Sequence, residues 1–182
     1  GDVHAYLLSK LSQAGVNGQF RTPRHIIKMI VELMKPTPED IIVDPACGTA
    51  GFLVEAGEYL RKNKSDLFLS ENLTEHFNNT MFYGFDMDRT MLRIGAMNLM
   101  QHGIENPNIM YKDSLSEDNE DNGKYTLVLA NPPFKGSIDA ERTSKDLLTV
   151  TKTKKTELLF LALFLRSLKI GGRCASIVPD GV

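Results

Sequence analysis

The sequence predicts an α/β fold with a doubly wound, mostly parallel sheet. Short apolar runs alternate with longer segments of helical period along the chain. Turn-forming glycines and prolines punctuate the runs. Three successive runs lead into an aspartate and the next into an asparagine, so one edge of a parallel sheet would collect polar groups.

The elements follow in order. Ile26 to Leu33 carries Ile26, Ile27, Ile30, Val31 and Leu33 at helical spacing, and Pro36 and Pro38 break the pattern. Ile41-Ile42-Val43 is a short buried strand running into Asp44-Pro45. Gly48-Thr49-Ala50-Gly51 is a tight turn, and Phe52 to Arg61 reads as a helix. Asn63 to Asn79 is polar and rich in Asn and Ser apart from Leu67-Phe68-Leu69, and reads as an insertion or long loop. Met81 to Phe85 is a second strand ending in Asp86, and Arg89 to His102 a helix closed by Gly103. Asn108 to Tyr111 is a third strand, followed by Asp113. Ser116 to Lys124 reads as a mobile acidic loop, and Tyr125 to Ala130 as the fourth strand. Lys135 to Lys155 is a long polar segment, and Glu157 to Leu168 an apolar helix. Gly171-Gly172 turns the chain into a fifth strand, Cys174 to Val178.

The chain has 182 residues, 42% of them hydrophobic, enough for one globular domain with a sizeable core. A net charge of −2 excludes binding nucleic acid by overall charge, so any such contact needs a local patch or a partner. Cys47 and Cys174 form no CxxC pair, which argues against zinc and redox roles and for reduced thiols in a cytoplasmic protein. The longest apolar run, Leu158 to Leu165, falls far short of the roughly 20 residues a membrane helix needs. His4, His25, His76 and His102 show no metal spacing, and no metal is expected. The chain starts at Gly1 rather than Met and stops at Val182 just after a strand, which reads as a fragment of a longer protein.

Asn131-Pro132-Pro133-Phe134 follows the fourth strand directly. The Asn131 amide oxygen and the Pro132 carbonyl suit the hydrogens of a planar amino group, and Phe134 suits stacking on the ring that carries it. Two prolines fix φ and present those carbonyls on a stiff backbone. Taken alone, the motif is as readily a plain strand-ending turn. Likewise each of Asp44, Asp86 and Asp113 alone is as readily a solvated loop acid. At successive strand ends, the four together read as one pocket at a topological switch point.

Gly48 and Gly51 let the backbone approach a ligand closely. The chain has neither G-x-G-x-x-G nor a P-loop, and an acid beside the turn disfavours a pyrophosphate and favours a cation. A ligand combining positive charge, an amino group and a ribose fits better, and S-adenosylmethionine has all three.

Asp44-Pro45-Ala46-Cys47-Gly48-Thr49-Ala50-Gly51-Phe52, with Asn131-Pro132-Pro133-Phe134 downstream, resembles the amino-group DNA methyltransferases. Gly18-Gln19-Phe20-Arg21-Thr22-Pro23-Arg24 narrows the resemblance to the modification (M) subunit of type I restriction–modification systems, which methylates adenine N6. The resemblance runs from about Gly18 to Val182 on the scale of one domain. It implies a Rossmann-like methyltransferase fold shortened at its C-terminal end, with residues 1–182 forming a single catalytic domain.

The resemblance also implies roles. Thr22 and Pro23 would lie against the methionine part of S-adenosylmethionine. Asp44, Gly48, Thr49 and Gly51 would shape its amino-acid and sulfonium pocket, with Asn131 alongside. Asp86 would bind the ribose, and Asp113 or its backbone the adenine amino group. Asn131, Pro132 and Phe134 would hold the target base. Ala50 stands where glycine is common, Arg21 where an aromatic is frequent, and Asp86 where glutamate is usual. The partners implied are DNA with its adenine flipped out, a specificity subunit and a restriction subunit. Lys145, Lys152, Lys154 and Lys155 are placed either to contact phosphates or simply to solvate a loop. The alternatives are a protein-glutamine methyltransferase, which usually ends the motif in tyrosine, and a non-catalytic module of the same fold. Weak or no activity is expected of this chain alone.

Overall fold

A computed structural model of the chain describes residues 21–133, 142–151 and 155–180. Helix α1 (Arg24–Met34) starts at Pro23 and ends where Lys35 turns left-handed at φ 49°. Strand β1 (Ile42–Asp44) is buried along its whole length, as a central parallel strand covered on both faces must be. Helix α2 (Gly51–Asn63) follows the glycine turn, and a 3-10 turn (Ser65–Leu69) and α3 (Glu71–Asn79) lead to β2 (Phe82–Asp86). Helix α4 (Arg89–Gln101) precedes β3 (Asn108–Tyr111), then comes β4 (Tyr125–Ala130). Helices α5 (Lys145–Thr151) and α6 (Thr156–Ser167) run into β5 (Leu168–Ser176).

The five strands lie in the order β3-β2-β1-β4-β5, and every pairing is parallel. The predicted doubly wound fold is therefore the one observed. From β1 the chain winds outward through β2 and β3, then returns to β1's other side with β4. That reversal makes the β1/β4 boundary the switch point, and open α/β sheets hold their ligands beyond the carboxyl ends of the strands at such a point.

Alternation along the strands feeds two cores. Ile42, Phe82, Leu127 and Leu129 face a cluster built with Ile27 and Val31 of α1, Leu53 and Leu60 of α2, and Leu99 of α4. Val43, Phe85, Val128 and Ala130 face a second cluster built with Leu147 of α5 and Leu159, Phe160 and Leu163 of α6. A bulge interrupts β4, where the N–H groups of Thr126 and Leu127 both donate to the Ile41 carbonyl. Gly103 closes α4 as the sequence predicts. At φ 82° its N–H reaches the Met100 carbonyl, and the next N–H, of Ile104, reaches Leu99.

Four segments differ from the sequence reading. Residues 63–79 are a packed 3-10 turn and helix, not an insertion loop: Ser70 caps α3 by accepting from the Leu73 N–H, and Leu67 and Phe77 are buried. Phe77 meets Phe68 and Phe82 edge-on, and the Arg61 guanidinium lies over Phe68 and Phe77. Tertiary packing there overrides a composition that disfavours helix. The acidic loop at 116–124 is fastened: Asn119 is buried and donates to the Ser114 carbonyl, while Asp121 accepts from Tyr125 Oη and Lys112. Gly171 and Gly172 lie inside β5 at a register shift, and the strand ends at Ser176, short of Val178. Within the 135–155 segment, α5 is helical and buries Leu147. Residues 134–141 and 152–154 lie outside the described residues.

Candidate active site

The register sets the height of each polar group along the sheet edge. Asp44 pairs with Gly84, so Asp86 stands two residues beyond it on β2. Val43 pairs with Val128, so Asn131 stands two residues beyond Asp44's level on the β4 side. Tyr111 pairs with Asp86, so Asp113 stands two residues further out again. Asp44 thus forms the floor of this sheet edge, with Asp86 and Asp113 further out on one side and Asn131 on the other.

The turn after β1 is stapled to its neighbours by its own backbone. Asp44 Oδ1 accepts from the Ala46 N–H at 3.0 Å, the Cys47 N–H donates to the Phe85 carbonyl at 2.9 Å, and the Gly48 N–H donates to Asp86 Oδ2 at 2.8 Å. The Ser114 hydroxyl donates to the Pro45 carbonyl at 2.6 Å, and Asn98 Nδ2 of α4 donates to the Thr49 carbonyl at 3.0 Å. Gly48 has φ 52° and Ala50 φ 66°, left-handed conformations that turn the chain sharply into α2. Gly95 and Gly84 make room for this turn. A Cβ on Gly95 would stand 3.1 Å from the Gly48 carbonyl oxygen, and one on Gly84 2.9 Å from Cys47 Sγ.

The electrostatics of the floor are lopsided. Asp44 is 2% exposed, and its carboxyl is raised to about 8 by burial first, with the Asp86 carboxylate adding and the Ala46 N–H opposing. Burial, then Asp44 and Asp86, push the Cys47 thiol upward, so it remains a neutral –SH and no nucleophile. A buried acid beside a second acid is a ready counter-charge for a cation. Among the described residues, no cluster of three or more His, Cys, Asp or Glu is arranged to hold a metal ion.

On the β4 side, Asn131 Nδ2 donates to Thr22 Oγ1 at 2.7 Å, which joins the segment before α1 to the end of β4. Pro132 is buried and Pro133 exposed. Phe134 lies outside the described residues.

A model of the N-6 DNA methylase family matches residues 1–182. The chain belongs to the N-6 DNA methylase family. The type I restriction enzyme EcoKI methylase subunit of Escherichia coli (strain K12) is 35% identical over 190 residues, covering all of this chain and 35% of the relative. The MjaIX methylase subunit of Methanocaldococcus jannaschii is 34% identical over 149 residues, covering 80% of this chain and 25% of the relative. The crystal structure of the EcoKI M protein superposes with a TM-score of 0.79 at 33% identity, over 91% of this chain and 35% of that one. The chain thus spans about a third of the length of the EcoKI subunit. The resemblance to type I modification subunits drawn from the motifs agrees with these matches.

For this member of the N-6 DNA methylase family, the geometry gathers Asp44, Gly48, Thr49, Gly51, Asp86, Asp113 and Asn131 at one edge of the sheet, and brings Thr22 onto Asn131. Pro23 is exposed and caps α1, its carbonyl accepting from the Ile26 and Ile27 N–H groups. Sequence reasoning missed the supports: Cys47, Gly84, Gly95, Asn98 and Ser114. A glycine inside a helix, as Gly95 is in α4, is the one sequence signal that marks such a close approach. It missed Arg166 of α6 as well. That guanidinium donates to the Asn119 carbonyl and to Ser144 and Asp146, tying the β3–β4 loop to the segment after the Asn-Pro-Pro motif.

Proposed function

We propose that this chain is the catalytic domain of a type I modification subunit, transferring a methyl group from S-adenosylmethionine to adenine N6 in DNA. One observation carries the reading: the stapled acidic turn after β1 and the Asn131-Pro132-Pro133 motif after β4 flank the same switch point. The residues present fit the cofactor. Asp44 is a buried carboxyl whose ionisation a neighbouring cation would favour, and Gly48, Thr49 and Gly51 form a turn with little side-chain bulk above it. Asp44 would neutralise the amino-acid and sulfonium end, with Pro23 beside it. Asp86 and Asp113 would accept from the ribose hydroxyls and the adenine amino group. Asp86 already spends one lone pair on Gly48 and one on the Asp88 N–H, and two oxygens retain further acceptor capacity.

When bound, S-adenosylmethionine supplies a methyl group on a positively charged sulfur. The chain's own part is to hold N6 and stabilise the charge that develops there. Asn131 Oδ1 and the Pro132 carbonyl accept from the two N6–H groups, drawing the nitrogen toward a tetrahedral shape. Phe134 stacks on the base, offsetting by roughly 1–3 kcal/mol the cost of flipping it out. Positioning supplies much of the rate, so no dedicated general base is required. The partners under this reading are DNA, a specificity subunit and a restriction subunit.

Asn131→Ala tests the assignment. In the full-length protein assembled with its specificity subunit, transfer of tritiated methyl to DNA should fall by about 10²–10³-fold, the scale of losing one donor or acceptor aimed at developing charge. S-adenosylmethionine binding by calorimetry should hold. Loss of binding in step with turnover, or transfer to protein rather than DNA acceptors, would overturn it.

A further inference from the structure

Arg166 is the one basic residue of α6, a helix whose middle is wholly apolar. A cation in the last turn of a helix is ordinarily left in water beside the terminal carbonyls. This one is 12% exposed and is turned onto two loops. Nη2 donates to the Asn119 carbonyl at 2.9 Å, and Nη1 to Ser144 Oγ at 3.0 Å and to the Asp146 oxygens at 3.1 and 3.0 Å. Nε is buried with no hydrogen-bond partner among the described residues, so the fold bears a cost to aim the outer nitrogens this way.

The two loops come from the two sides of the site. Asn119 lies in the loop that follows Asp113. Its Nδ2 donates to the Ser114 carbonyl at 2.8 Å, and the Ser114 hydroxyl reaches Pro45 in the turn after β1. Ser144 and Asp146 lie in the segment that follows Asn131-Pro132-Pro133. The loops also meet directly. The Ser144 N–H donates to the Leu115 carbonyl at 2.9 Å and the Glu117 N–H to the Arg142 carbonyl at 3.0 Å, with an antiparallel bridge between Ser116 and Thr143.

Their anchorage is unequal. The loop after Asp113 has holds of its own: Ser114 on Pro45, the Leu115 N–H on Asp113 Oδ1, and Asp121 on Tyr125. Ser144 and Asp146 depend on Leu115 and Arg166, besides each other and their own helix. Loss of the guanidinium therefore frees the second segment far more than the first.

We propose that Arg166 is a positioning residue for methyl transfer: its guanidinium locks the segment after the Asn-Pro-Pro motif onto the loop after Asp113, so the base-holding side keeps its place against the cofactor side. This rests on the proposed methyl transfer to adenine. Arg166→Met keeps the apolar stem and removes the donors. Asp146→Ala removes one partner whose side chain is 56% exposed, and so spares the core.

The test uses the full-length protein assembled with its specificity subunit. The readouts are S-adenosylmethionine affinity, the rate of methyl transfer at saturating cofactor and DNA, and amide hydrogen exchange over residues 142–151 and 112–116 without DNA. Arg166→Met should lower the rate at least about tenfold, as misplacing a reacting partner does, with cofactor affinity held within about threefold. Exchange over 142–151 should quicken at least about tenfold while 112–116 stays within about threefold. Asp146→Ala should move the rate and the 142–151 exchange the same way by about threefold or more, the scale of one hydrogen bond. The double variant should be no worse than Arg166→Met, because both remove one tie. If Arg166→Met does not fold, Asp146→Ala decides by itself. An unchanged rate or unchanged exchange over 142–151 would overturn the proposal. So would cofactor affinity and 112–116 exchange changing in step with the rate, which would make Arg166 a support of the whole sheet edge. If wild type transfers no methyl to DNA, the functional reading itself fails and the positioning role falls with it, whatever exchange shows of the tie.

Discussion

Asp44→Asn removes a charge while keeping the shape of the side chain and the Oδ1 acceptor for the Ala46 N–H. The native carboxyl is raised from 3.8 to about 8, by burial first and by Asp86 in addition. The native state therefore holds a proton that the unfolded chain has lost between about pH 4 and pH 8. Stability must fall as pH rises through that window and level off above it. Each unit of the window is worth about 1.4 kcal/mol, so wild type loses about 4 kcal/mol between pH 5 and pH 8 through this one group. The variant has no such titration. Its advantage over wild type should grow by the same amount, about 8–16 °C in Tm for a chain of this size. Thermal unfolding of both proteins across that range measures it. A gap between them that does not change with pH would refute the reasoning.

Under the proposed function, the same carboxyl would link S-adenosylmethionine binding to protons. At pH 7 a group titrating near 8 is about nine-tenths protonated, so binding a cation that needs the carboxylate should release about 0.9 proton. Calorimetry of S-adenosylmethionine binding in buffers of different ionisation enthalpy counts those protons. Wild-type affinity should rise about tenfold per pH unit below 8 and flatten above it, while Asp44→Asn should bind weakly at every pH and release none. Tight binding with no proton released would remove Asp44 from the cation's neighbourhood.

Gly95→Val puts side-chain carbon within 3.1 Å of the Gly48 carbonyl and 3.3 Å of Ala50 Cβ. We expect about 1–3 kcal/mol lost in urea unfolding, as overpacking generally costs. Cofactor affinity should fall at least about tenfold, because what is displaced is the turn itself; unaltered affinity would separate α4 from the site. Phe77→Ala should cost about 3–5 kcal/mol, the loss typical of a buried aromatic. A loss below about 0.5 kcal/mol, as for a surface loop, would restore the insertion reading of residues 63–79.

What the sequence made legible, and what it hid, divides along physical lines. The strands are short apolar runs bounded by turn residues, and a parallel sheet sends all their carboxyl ends to one edge. Asp44, Asp86, Asp113 and Asn131 could therefore be placed together from their spacing alone. Contacts between distant segments leave no local pattern. Nothing in the residues around Thr22 says that its hydroxyl meets Asn131, and nothing around Arg166 says that it gathers Asn119, Ser144 and Asp146. Residues 63–79 misled because Asn, Ser and His weaken a helix in isolation. Leu73 and Phe77, four apart on one face, hold α3 only once the core behind them exists. The Ser116 to Lys124 loop misled for the opposite reason: its acids suggested solvent, yet Asp121 is spent on Tyr125 and Lys112.

The buried aspartates just before β1 and at its end, Asp40 and Asp44, make the case for function most sharply, because they are treated oppositely. At the amino edge, Asp40 is 4% exposed, and burial works to raise its carboxyl. The Arg173 guanidinium donates to both its oxygens at 3.1 and 2.9 Å, and the Thr126 hydroxyl and the Thr37 N–H add further bonds. Together they outweigh burial and hold Asp40 below the ordinary carboxylate range. It is a structural acid, compensated on every side. At the carboxyl edge, Asp44 receives the Ala46 N–H, and the nearest ionised neighbour acting on it is another acid. A fold able to neutralise one buried aspartate so thoroughly leaves the other short of positive charge, only a few residues along the chain. Such a deficit costs stability in the free protein, and a cation brought by a ligand would remove it.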